Sequence, residues 1–223
     1  MSDSDHSGDA TSWTTSSTRR TQTAPSRLAT GRPYQASDCE SSMPMSCGTH
    51  ACCALPTPSA PHMHAMCAEL LEDYLRPGAS VLDVGSGSGY LAAVFCQMVG
   101  PTGRVTGVEL VPELVVRSQE TLRQDPATRD MMASGHLAVH QADAHFGCDA
   151  DAPYDAIHVG AAAEGVPQAL VDQLKPGGRM IIPVGRQHHA QQLVQVDKDA
   201  NGELSTAVLM GVQFVPLVRT GQR

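Results

Sequence analysis

From about residue 57 onward, apolar runs alternate with segments whose apolar residues recur every three or four positions. Met63, Met66, Leu70, Leu71 and Tyr74 fall at helical spacing; Pro61 can open that helix and Pro77-Gly78 stops it. Ser80 to Val84 reads as a buried strand and Tyr90 to Val99 as a helix. Val105 to Leu110 then predicts a strand, Pro112 to Leu122 a helix, and Leu137 to His140 a short strand. Tyr154 to Val159 reads as strand and Val166 to Leu174 as helix, after which Pro176-Gly177-Gly178 turns into a strand over Arg179 to Val184. Gln191 to Val196 and Ala207 to Leu217, joined across Asn201-Gly202, read as an antiparallel pair. Seven strands alternating with helices predict an α/β fold: a doubly wound, mostly parallel sheet ending in an antiparallel hairpin.

Residues 1–56 lack either periodicity and are rich in Ser, Thr, Pro, Arg and Cys, which predicts a disordered or irregular segment ahead of a domain over 57–223. Asp3, Asp5 and Asp9 near the start argue against a secretory or transit peptide, despite Arg19, Arg20, Arg27 and Arg32. No window reaches the roughly 18 apolar residues of a spanning helix, so a cytoplasmic protein with no membrane partner is expected. Cys47, Cys52 and Cys53 with His50 lack paired Cys-x-x-Cys spacing, and no metal site is expected there. The formal net charge of -8 and the 4% aromatic content disfavour a nucleic-acid partner.

The most chemistry lies in Val81-Leu82-Asp83-Val84-Gly85-Ser86-Gly87-Ser88-Gly89. A strand enters, glycines turn the chain with no Cβ in the way, and a helix starts at Tyr90. Glu109, at the end of the next strand, is placed to accept hydrogen bonds from two ribose hydroxyls. A dinucleotide would be served equally by that much. However, the spacing is G-x-G-x-G rather than G-x-G-x-x-G, and Asp83 puts a negative charge where a pyrophosphate would be repelled. S-adenosylmethionine, which carries an ammonium and a sulfonium, suits both features. Asp143, after the third strand, is a candidate partner for its adenine amino group.

Three blocks carry a family resemblance: Thr57-Pro58-Ser59-Ala60-Pro61-His62-Met63-His64-Ala65, the loop Leu82 to Gly89, and Pro153-Tyr154-Asp155-Ala156-Ile157-His158-Val159-Gly160-Ala161-Ala162-Ala163. Together they resemble the protein-L-isoaspartate (D-aspartate) O-methyltransferases, and most of all the eukaryotic members. Pro167 to Leu170, Gln173 to Arg179 and Leu209 to Val212 add to the likeness, which covers about Thr57 to Leu217. The resemblance implies a Rossmann-like class I methyltransferase fold, a monomer, and S-adenosylmethionine as cofactor. It implies as substrate the free α-carboxylate of L-isoaspartyl residues in damaged proteins and peptides, whose methylation initiates repair. Ser59 is then the active-site residue, with cofactor contacts at Ser59, His64, Val84, Gly85, Ser86, Gly87, Ser88, Glu109, Ala142 and Asp143. Thr57, Pro58, Asp83 and Leu110 complete the candidate set. Two family positions fall at Val218, in place of a threonine, and Gln222. The amphipathic N-terminal helix of family members has no counterpart in residues 1–56, which motivates a second reading of the chain as an adaptor binding cofactor or damaged protein.

A carboxylate ionised at neutral pH needs no general base, so the chemistry predicts alignment and desolvation rather than a nucleophilic triad. Ser59 is read as a positioning hydroxyl, with helix N-capping before Pro61 as the competing role. His62 and His64 are expected on different helix faces, and His158 as a satisfied core histidine. The small residues Gly160 to Ala163 predict room for a peptide backbone.

Overall fold

The structure, a computed structural model, describes residues 59–219. The segment expected to be irregular over 1–56, the cysteines near His50, Thr57, Pro58 and Gln222 lie outside the described residues.

Continuous apolar runs suit strands covered on both faces, and seven strands form one sheet in the order β3-β2-β1-β4-β5-β6-β7. They are β1 (Ser80–Val84), β2 (Arg104–Glu109), β3 (Leu137–Gln141), β4 (Tyr154–Val159), β5 (Leu174–Val184), β6 (Gln191–Lys198) and β7 (Leu204–Val212). The first five pair in parallel, and β5-β6 and β6-β7 pair antiparallel. Helix α1 (Pro61–Leu71) precedes β1, and α2 (Tyr90–Val99), α3 (Pro112–Leu122), α4 (Pro126–Ala133) and α5 (Gln168–Gln173) lie between strands in the chain. Alternation along each strand splits the core in two. Val81 and Ala156 join Cys67, Leu71, Leu91, Phe95 and Met131 on one face. Leu82, Val84, Ile157 and Val159 join Leu170 and Val171 on the other. Strand order reverses between β1 and β4, so a crevice opens at their carboxyl ends, where doubly wound sheets bind ligands.

Helix α4 was not expected. Its start is nonetheless written locally: Asp125 accepts hydrogen bonds from Ala127 N and Thr128 N at 2.9 and 3.1 Å, ahead of Pro126. The helix expected over Val166 to Leu174 is shorter, and β5 already begins at Leu174. Pro176-Gly177-Gly178 therefore lies within the strand, where the register jumps from Tyr154↔Leu174 to Ala156↔Arg179. At the far edge β7 starts earlier and ends earlier than the periodicity suggests. After Val212 the chain leaves the sheet and runs beside Ala162, whose N–H donates to Val215 O at 2.8 Å and whose carbonyl accepts from Leu217 N at 2.7 Å. The buried Gln191 side chain secures this strap, accepting from Phe214 N at 2.6 Å and donating to its carbonyl at 3.2 Å.

Arg179 fastens α1 to the sheet. Its guanidinium donates to both Asp197 carboxylate oxygens at 2.6 and 3.0 Å and to Leu70 O at 3.1 Å, and lies 4.8 Å from the centre of the Tyr74 ring. Such a planar fork matches a carboxylate bidentately.

Candidate active site

The glycine loop turns immediately after β1. Gly85, Gly87 and Gly89 all have positive φ, a region in which a Cβ is strained. Gly85 N and Ser86 N donate to Val108 O at 2.8 and 3.1 Å, tying the loop to β2. Glu109, buried at the end of β2, accepts Gly87 N at Oε2 and Val111 N at Oε1, both at 3.0 Å. Each of its oxygens keeps a further lone-pair direction. Gly160 closes the other side: its N–H donates to Val84 O at 2.7 Å, and a Cβ there would stand 2.9 Å from Gly85 O.

Beneath the loop lies a polar group that the sequence reading assembled only in part. In the β1-β4 register Asp83 stands beside His158, and His158 Nδ1 meets Asp83 Oδ1 at 2.8 Å with both side chains almost fully buried. Burial alone would drive the proton off this imidazole. The hydrogen bonds and charges of Asp83 and Cys67 outweigh it, so His158 is held well above the ordinary histidine range and Nδ1 donates. His158 is thus the satisfied core histidine the sequence led us to expect, its partner is a carboxylate, and the negative charge expected at Asp83 is already balanced. Asp83 Oδ2 is buried and has no hydrogen-bond partner, and neither has Ser86 Oγ. Such orphans are rare in folded proteins and point to a function or a missing partner.

His64, one helical turn before Cys67 on α1, stacks on Tyr90 with ring centres 5.2 Å apart. Burial lowers its pKa, as does the neighbouring His158 charge, against the pull of Asp83. His62 is exposed while His64 is half-buried, in line with their separate faces. Ser59 immediately precedes Ala60, which is the N-cap residue of α1, and no side chain caps that helix start. The capping role considered for Ser59 is therefore not seen. Asp143, after β3, accepts from His145 N at 3.0 Å, with His145 Nδ1 3.2 Å from the same oxygen. Ala142 and Leu110 lie half-buried near it in sequence and at the end of β2, and Ala142 N donates to Glu109 O at 3.1 Å. Ser88, exposed, closes the loop against Tyr90 N at 3.4 Å. Ala161, Ala162 and Ala163 do not open a pocket as their size suggested. They are buried where the strap and Val184 cover them.

A glycine loop after β1, an acid ending β2 and buried orphan acceptors at the switch point define a Rossmann-like protein built to hold a small ligand. The comparisons are specific about which. The family model for protein-L-isoaspartate(D-aspartate) O-methyltransferase matches residues 17–222, so the likeness reaches well upstream of Thr57. A wheat protein-L-isoaspartate O-methyltransferase is 55% identical over 161 residues, covering 72% of this chain and 69% of its own. Protein-L-isoaspartate O-methyltransferase 1 of Arabidopsis thaliana is 52% identical over 174 residues, covering 78% and 72%. The crystal structure of a Plasmodium falciparum PCMT in complex with S-adenosyl-L-homocysteine superposes with a TM-score of 0.66 at 33% identity, covering 73% of this chain and 76% of that one. The chain belongs to the protein-L-isoaspartate(D-aspartate) O-methyltransferase family.

Proposed function

We propose that this chain transfers a methyl group from S-adenosylmethionine to the free carboxylate of L-isoaspartyl residues in proteins and peptides. The observation that carries this reading is the set of buried acceptors at the glycine loop, in a chain of this family. Asp83 Oδ2 and Ser86 Oγ lack partners, and the Glu109 carboxylate stands at the mouth of the loop. That set suits an ammonium and ribose hydroxyls, so the residues fit the cofactor. When bound, S-adenosylmethionine supplies a methyl group on a cationic sulfur.

The rest falls to the chain. Glu109, which braces the loop through Gly87 N, would accept the ribose hydroxyls. Asp143 would hold the adenine amino group, with Ala142 and Leu110 as apolar flanks. Asp83 and Ser86 would accept at the methionyl end, and burial and the His158 charge favour a neutral His64 beside Tyr90. Ser59, free of a capping duty, positions the acceptor. An isoaspartyl carboxyl is ionised at neutral pH, so no proton needs removing, and the site's contribution is alignment and exclusion of water. We infer further that the protein acts as a cytoplasmic monomer without nucleic-acid or membrane partners. Its net charge of -8 argues against nucleic-acid and anionic-membrane partners, and no helix among the described residues is long and apolar enough to cross a membrane.

The test offers an isoaspartyl peptide and its aspartyl twin with methyl-labelled cofactor. Base-labile label on the former alone is expected; base-stable label, or label on both, would refute the acceptor class. Ser59→Ala should lower turnover about a hundredfold through misalignment and leave cofactor affinity within a few-fold.

A further inference from the structure

The buried pair beneath the loop suggests a role for a residue outside the candidate set. Asp83 is the fourth residue of β1 and His158 the fifth of β4, so the side-by-side strands bring their side chains together on the α1/α2 face. The groups facing His158 are few. β1 presents Asp83, and α1 presents Cys67 and His64. From α2 comes the Phe95 ring, edge-on at 6.0 Å, and β5 sets Ile181 opposite. Two buried charges meet in this apolar setting, where an ion pair gains little net stability over apolar packing. A hydrogen-bonded imidazole is, however, a standard device for orienting a carboxylate, as carboxylates in turn orient imidazoles in metal and catalytic sites.

We propose that His158 is a positioning residue for the cofactor: by holding Asp83 Oδ1, it turns Oδ2 toward the amino group at the methionyl end. The inference rests on the proposed cofactor reading. One carboxylate oxygen is committed to His158 at 2.8 Å while the other, equally buried, is left without a partner. A carboxylate free to rotate would hold neither arrangement. Burial lowers the pKa of the His64 ring, and the same imidazolium, standing near it, adds to that lowering, so one buried charge bears on two residues at this site.

The choice between orienting Asp83 and merely filling space is made by which ring nitrogen matters. His158→Asn places an amide donor near the Nδ1 position, whereas His158→Gln places it near Nε2. Titration of the full-length protein with S-adenosylhomocysteine by calorimetry is expected to show His158→Asn within about threefold of wild type and His158→Gln weakened about tenfold or more, the loss on the order of one charge-assisted hydrogen bond. Asp83→Asn should lose at least as much as His158→Gln, and the double variant should lose less than threefold beyond the larger single loss, because both act through one contact. Turnover at saturating cofactor should change less than affinity. Equal affinities for the Asn and Gln variants, or losses that multiply in the double variant, would overturn the proposal. Histidine NMR adds a readout independent of activity: the His64 ring should titrate at higher pH in His158→Asn, and an unmoved His64 would count against the shared charge. Wild-type protein that fails to bind S-adenosylhomocysteine would refute the cofactor reading itself. Binding by wild type with indistinguishable variants would refute only the role of His158.

Discussion

Two aspartates on neighbouring strands make nearly identical ion pairs at opposite ends of the same sheet. Asp83 meets His158 at 2.8 Å at the carboxyl end, with side chains 1% and 6% exposed. Asp155 meets Lys175 at 2.7 Å at the amino end, with side chains 31% and 36% exposed. Asp155 Oδ2 also accepts Ser80 N at 2.8 Å, closing the start of β1. It borders an open cleft of about 640 Å³ that also involves Asp73, Tyr74, Arg76, Gly78 and Lys175 and stands away from the glycine loop. Pair length therefore says nothing of role. Burial and an unsatisfied second oxygen separate the Asp83 carboxylate from one that water can serve.

Removing one partner should expose the contrast most strongly. Asp83→Ala leaves the His158 charge buried and uncompensated, and should lower the unfolding free energy in urea by about 3–5 kcal/mol. A cost below about 1 kcal/mol would dissolve the distinction. The same pair sets a pH dependence. His158 is raised in the folded protein, from an ordinary value near 6.5 to about 10. Its stabilisation is therefore full below about pH 6.5 and lost as the pH climbs toward 10, because above that the folded state gives up its extra proton. Denaturation midpoints should fall over that window in wild type and much less in His158→Asn.

Glu109→Ala tests the carboxyl end from its other acid. A charge-assisted hydrogen bond is worth roughly 1.5–3 kcal/mol, so cofactor affinity should fall by about one to two decades. Unchanged affinity by calorimetry would remove Glu109 from the site. The orphan hydroxyls make a finer comparison, since Ser86 Oγ lies at the carboxyl end and Ser80 Oγ at the amino end, both buried and unpartnered. Ser86→Ala should weaken cofactor binding by about 0.5–1.5 kcal/mol, one ordinary hydrogen bond. Ser80→Ala should leave affinity unchanged and hold or raise the melting temperature, because it deletes an unpaired polar group. Smallest of all, Lys175→Met should change stability by no more than about 1 kcal/mol, with turnover unaffected.

How much of this was legible in the chain depends on whether the signal is local. The parallel strands are continuous apolar runs, and the glycine loop and Glu109 are read within one strand-turn-helix unit, so fold and loop follow from short windows. Helix α4 escaped because only Thr128 and Met131 among its eight residues are buried. Thr128 spends its hydroxyl on Leu122 O rather than showing an apolar stripe. The Asp125-Pro126 start was the available sign. The Asp83–His158 pair escaped for another reason: its members are 75 residues apart and meet only through the β1-β4 register. Periodicity reports which face a residue takes but not its opposite number on the next strand. Likewise, small size at Ala161 to Ala163 could not announce that a C-terminal strap would lie across them.

Arg179 gives α1 the mechanics of a cantilever. The clamp sits at the far end, where Leu70 O, Tyr74 and Asp197 are gripped together. The other end carries Ser59 and starts at Ala60 with no side-chain cap. A beam held this way is stiff at its root and compliant at its tip, because the opening turn of a helix has the fewest hydrogen bonds to give up. Ser59, proposed above to position the acceptor, therefore sits just ahead of the part of the helix that yields most, while Cys67, buried farther along the same beam, stays in place.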